Sequence, residues 1–171
     1  MSALIEKIPL APAGDAAALC AAAGFDGQDQ ELVAFAATCL EALASGLEAW
    51  RITDASGENG FLLLAVQAQA GERLERLFAA SPSRGYLAQM LAASLLTQAA
   101  TRLVPEIAAN GCAPLVAPPA PVRDALASLG VKWIEPGSIS RAWAVLTPMP
   151  TRGGCEACLL AVGCPRKRGR P

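Results

Sequence analysis

Cys155, Cys158 and Cys164 stand near the carboxyl end in the run Gly154-Cys-Glu-Ala-Cys-Leu-Leu-Ala-Val-Gly-Cys-Pro165, a C-x2-C-x5-C spacing. Two thiolates two residues apart can turn onto one metal centre, and a third beyond them can complete a face of its coordination sphere. The chain has 171 residues and no histidine. Any metal held here therefore draws on sulfur, on carboxylate or on a ligand from outside. Three thiolates can hold three irons of a cubane cluster and leave the fourth to Cys112, to a partner or to a small ligand. Zinc would need a fourth donor, and Cys112 and Glu156 are the candidates. The donor set favours iron–sulfur, with zinc as the alternative. Leu159, Leu160 and Val162 between the thiols suit a cluster shielded from water, and equally suit a metal-free segment docked on the body.

The other cysteines invite a different reading. Cys20 sits among alanines, and Cys39 falls on an apolar helical stripe, so both are expected to be small core residues. Cys112 follows Gly111 in a proline-rich loop, where an ordinary buried thiol outweighs the ligand role. Ser138 and Ser140 follow Pro136 and could hydrogen-bond a polar cofactor, although capping a turn is the simpler use of both hydroxyls. Serine-hydrolase and papain-like arrangements lack their usual base in a chain without histidine. Glycine-rich phosphate loops are missing too. No reaction is specified by these residues, so enzymatic activity stays open.

Composition narrows the class further. Hydrophobic residues make up 53% and charged residues 17% of the chain, which excludes disorder for the body. Aromatics are only 5%, so the apolar bulk is Ala and Leu, the material of closely approaching helices. The net charge of −1 hides an asymmetry: residues 151–171 carry five basic side chains against Glu156, a net of +4, leaving −5 for residues 1–150. The terminal Arg168-Gly169-Arg170-Pro171 matches the core of an AT-hook. It occurs once and without a folded DNA-reading module, so a solvated end or a contact to an acidic partner is expected, and nucleic acid is not. Glu6, Lys7, Pro9, Pro12 and Asp15 interrupt the apolar segment that an export signal would need, which points to the cytoplasm. Residues 85–101 are too short and polar to span a bilayer. Clustered thiols in a reducing compartment serve metal binding or redox work more often than disulfides.

The elements that must position these residues follow from periodicity and punctuation. An extended piece, Leu4 to Leu10, leads to Asp15, which can cap a helix ending at Gly24. Asp29 can cap a second helix to about Gly46, whose apolar positions include Leu32, Phe35, Ala36, Cys39, Leu40 and Leu43. Trp50–Thr53 and Phe61–Val66 read as a hairpin, and the second run, apolar on both faces, implies a strand covered on both sides. A helix over 71–80 stops at Ser81-Pro82, and the longest helix runs from about Tyr86 towards Ile107, kinked or ended by Pro105. Residues 110–119 form a loop, Pro121 to Leu129 a helix ending at Gly130, and Val131–Glu135 and Ala142–Leu146 two further strands. The expected fold is α+β: a helix-rich single domain over residues 1–150 packed on a small antiparallel sheet, with a cysteine-cluster and basic tail over 151–171.

Three stretches within this order resemble the activation domain of vitamin B12-dependent methionine synthase. They are Asp15 to Ala23-Gly24-Phe25, Phe61 through Gly71-Glu-Arg-Leu-Glu-Arg-Leu77 ahead of the alanine-rich helix, and Leu129-Gly130-Val131 through Pro136-Gly-Ser-Ile-Ser140. Short free-standing relatives of that domain also end in a compact cysteine cluster, matched by Cys155, Cys158 and Cys164. The resemblance implies that fold, a corrinoid protein or methyltransferase as partner, and an accessory role in cobalamin-dependent methyl transfer. It does not carry S-adenosylmethionine to any residue, because Ser81 replaces the arginine of the family's Arg-x-x-x-Gly-Tyr signature before Gly85-Tyr86. The proline–serine loop is one residue short. Cobalamin itself lacks its Asp-x-His-x-x-Gly motif here, so a partner would hold it. The alternative is a zinc-stapled binding module whose basic tail contacts nucleic acid or an acidic protein.

Overall fold

The computed structural model describes residues 3–10, 15–22, 24–26, 28–54, 57, 60–135, 137–151 and 154–164. The first strand, β1 (Leu4–Ile8), precedes two short-capped helices. Asp15 Oδ1 accepts from the Ala17 N–H at 2.9 Å to open α1 (Ala16–Ala22), and Asp29 Oδ1 accepts from the Leu32 N–H at 3.0 Å to open α2 (Gln30–Ser45). Each carboxylate satisfies one of the donors a helix start leaves free. Gly46 closes α2, and the hairpin β2 (Leu47–Thr53) and β3 (Gly60–Val66) follows.

Ser81, in an extended backbone conformation, separates α3 (Ala68–Ala80) from α4 (Pro82–Leu103). Pro82 sits in the first turn of α4, where its missing N–H costs nothing. Val104, at φ −131° and ψ 87°, ends α4 because the residue before a proline is driven out of the helical region. Pro105 therefore starts α5 (Pro105–Asn110) rather than kinking one long helix, and α4 begins four residues earlier than Tyr86. Beyond Gly111 an extended strap leads to α6 (Ala120–Ser128), then to β4 (Trp133–Ile134), β5 (Ser138–Ile139), β6 (Ala144–Pro148) and the single turn α7 (Gly154–Ala157).

The main sheet is antiparallel, in the order β1-β2-β3-β6. β3 lies inside it with Phe61 to Val66 all buried. Alternation sends Leu62, Leu64 and Val66 into a core shared with α4 residues such as Leu87, Leu91 and Leu95. The intervening Phe61, Leu63 and Ala65 meet Val122, Ala125 and Leu126 of α6 on the opposite face. The apolar run of β3 is thus covered on both sides, as its composition requires. Each fully buried leucine contributes about 1.5–3 kcal/mol.

Residues 131–140 depart from expectation. Only Trp133–Ile134 forms a strand, and it pairs with β5 in a separate two-stranded hairpin instead of joining the main sheet. Ser138 and Ile139 were expected in the loop between two strands and are themselves the return strand. Val131 is fully buried in the α6 core, so that side chain, and no ladder with the main sheet, ties the hairpin to the body.

α3 and α4 cross at Gly85, where a Cβ would overlap the Phe78 backbone. Gly85→Ala should destabilise the protein by about 1–3 kcal/mol through overpacking. Gly163→Ala, with open space at the same atom, should change stability by less than about 0.5 kcal/mol. Urea denaturation of the two variants checks both figures.

Candidate metal-binding thiol segment

Cys155 lies in α7, Cys158 directly follows it, and Cys164 ends a turn over 159–163. All three thiols are half-buried, as is Cys112. The turn is closed by the Ala161 N–H, which donates to Cys158 O at 3.0 Å. Its tether to the body is the Leu159 N–H, which donates to Leu115 O on the strap at 2.8 Å. Gly137 makes room for this crossing: a Cβ there would stand 3.2 Å from Leu159 Cδ1 and 3.3 Å from Leu115 Cδ2. The strap is held in turn by the buried Thr147 of β6, whose hydroxyl donates to Pro114 O at 3.2 Å. A continuous path of contacts therefore runs from the sheet edge through the strap to the cysteines.

The thiol segment lies shallowly on the surface. Leu159 is 44% exposed, Leu160 60% and Val162 95%. Among the described residues, no group of three cysteine, aspartate or glutamate side chains is placed to hold a metal ion. Cys155, Cys158 and Cys164 thus share a segment without sharing a centre, and Cys112 stands on the strap, three residues before Leu115. A structural metal commonly assembles its own site, since the binding energy offsets the cost of ordering the ligands. The donor chemistry fits a sulfur-ligated metal, and gathering the thiols requires residues 154–164 to reorganise about the Leu159 tether.

The remaining candidates resolve differently. Cys20 is fully buried and Cys39 nearly so, and burial pushes both thiols up from the ordinary range. Ser140 Oγ accepts from the Lys132 N–H at 2.8 Å while the Ser140 N–H donates to Lys132 O at 2.8 Å, so its hydroxyl closes the β4–β5 hairpin. Ser138 is an exposed residue of β5 paired with Ile134. The basic residues 166–170 lie outside the described residues. A cleft between α2 and α3, rimmed by Arg73 and Arg76, escaped the reading of sequence. Its one signal there was two arginines three apart on a helix.

Leu159→Ala should raise amide exchange across 154–164 while leaving α4 protected, because the leucine anchors the segment and not the core. Alkylation at pH 8 should modify Cys112, Cys155, Cys158 and Cys164 well before Cys20 and Cys39, read by peptide mass spectrometry. The raised thiols also set a pH dependence. As pH rises through the ordinary thiol range the unfolded chain ionises Cys20 and Cys39 while the folded chain keeps them neutral. Stability should therefore fall with rising pH there, and Cys20→Ala/Cys39→Ala should flatten that fall in urea titrations.

No protein-family model, curated protein or solved structure matches this chain.

Proposed function

We propose that this chain is an accessory of corrinoid-dependent methyl transfer, whose Cys155, Cys158 and Cys164 hold an iron–sulfur cluster. The observation that carries the reading is the division of the cysteines. Cys20 and Cys39 are buried with the core, whereas three half-buried thiols share one short, shallowly tethered segment outside it. Structural thiols have no reason to collect there. A cluster, when bound, supplies a one-electron carrier near the protein surface.

In this reading the chain's own residues do three things. The thiolates would bind the cluster, the strap at Leu115 keeps the segment on the body, and Leu159, Leu160 and Val162, exposed in this structure, would have to close over the gathered thiols to exclude water. The α+β body would dock on a corrinoid protein, and the electron would help to keep that partner's cobalt reduced. The partner and the role come from the three stretches that resemble the methionine synthase activation domain. S-adenosylmethionine binding forms no part of the proposal, because Ser81 stands where the family's arginine would be.

Anaerobic reconstitution with iron and sulfide should give a brown protein with thiolate-to-iron absorbance near about 400 nm. Cys155→Ser/Cys158→Ser/Cys164→Ser should remain colourless. Stoichiometric zinc in a colourless wild-type protein would move the site to the alternative donor-limited metal. Wild-type protein that takes up neither metal, with stability unchanged in the triple variant, would end the metal reading. Titration against a corrinoid protein tests the partner separately, with saturable binding expected and its absence rejecting that role.

A further inference from the structure

α2 and α3 both pack on α4 and touch each other little. They meet at one end, where the Gln67 N–H donates to Gly46 O at 2.8 Å and a Cβ on Gly46 would stand 3.2 Å from Ala70 Cβ. Beyond that junction a cleft of about 410 Å³ opens between the helices, as far as Phe35 and Leu77. Its lining is apolar, with Cys39, Leu43 and Leu74 buried beneath it. Arg73 and Arg76, one turn apart on α3, stand at its rim and are exposed. Among the described residues neither guanidinium is in an ion pair, whereas Arg51, Arg84 and Arg123 are. The same two arginines also rim an adjoining cleft of about 330 Å³ that includes Glu72 and Gln69.

We infer that the α2–α3 cleft binds a small amphiphile with one anionic head, an unbranched aliphatic carboxylate. The chain lies on the apolar floor, and the carboxylate sits on the fork formed by Arg73 and Arg76. Planar guanidinium groups suit a carboxylate, which accepts two parallel hydrogen bonds from each. The cleft volume of about 410 Å³ falls within the range of small-molecule sites. The site shares no residue with the thiol segment, so it stands whether or not that segment holds metal.

Calorimetric titration of the full-length protein with decanoate, kept below its micelle concentration, tests the assignment, with decanol and acetate as comparisons. Decanoate should bind saturably at one site, and decanol about tenfold or more weakly, because it lacks the charge the arginines recognise. Acetate should not bind, having no chain to bury. Arg73→Gln/Arg76→Gln should weaken decanoate about tenfold while leaving decanol unchanged. Ala42→Trp should block binding by filling the floor. Should Ala42→Trp fail to fold, the substitutions at the two exposed arginines carry the test alone. The inference is overturned if decanoate does not bind, if decanol binds equally well, or if binding survives the arginine substitutions.

Discussion

β3 meets no water on either face, and the rest of the molecule is arranged around that constraint. A strand reading Phe-Leu-Leu-Leu-Ala-Val must be covered twice, and an antiparallel sheet with helices on one side alone would leave Phe61, Leu63 and Ala65 exposed. α4 supplies the first cover with its leucine and alanine face. α6, nine residues long and arriving late in the chain, supplies the second with Val122, Ala125 and Leu126. The chain must therefore cross from one side of the sheet to the other after α5. The extended strap from Cys112 to Pro119 makes that crossing, and its prolines cannot compete for a helix or a ladder.

That crossing is also what gives the thiol segment somewhere to rest. Thr147 on β6 holds Pro114 O, and Leu115 O then receives the Leu159 N–H. A buried hydroxyl needs a partner and finds one in a backbone carbonyl that a regular element would have used internally. Gly137 lets two leucine side chains close over the join. The position of the cysteines thus depends on an irregular segment whose own course is dictated by the sheet.

The α2–α3 cleft has an equally mechanical origin. Both helices seek α4, whose alanines permit close approach, and Gly85 lets α3 come almost into backbone contact. With both committed to the same neighbour, they cannot also pack fully against each other. Phe35 and Leu77 stay only partly covered as a result. The largely exposed ion pair Arg84–Glu31, at 2.8 Å, adds little to stability, in the range of about 0–1 kcal/mol. Arg84 does more locally by stacking over the Phe35 ring at 5.4 Å, which covers part of that apolar surface.

Local chemistry by itself determined much of this protein. Asp15 and Asp29 as helix caps, the breaks at Ser81 and before Pro105, the two-faced burial of β3 and the core placement of Cys20 and Cys39 all follow from neighbours within a few residues. The C-x2-C-x5-C spacing likewise declared which thiols stand together along the chain. Only tertiary packing decided that Trp133–Ile134 pairs within its own hairpin, because Val131 is drawn under α6 and two residues suffice for the return. Tertiary packing also decided that Ser140 serves the Lys132 backbone, and that Leu115 tethers the cysteines. The cleft between α2 and α3 lay beyond local reading for the same reason. It exists where two helices fail to meet, and a gap is a property of distant surfaces with no periodicity of its own.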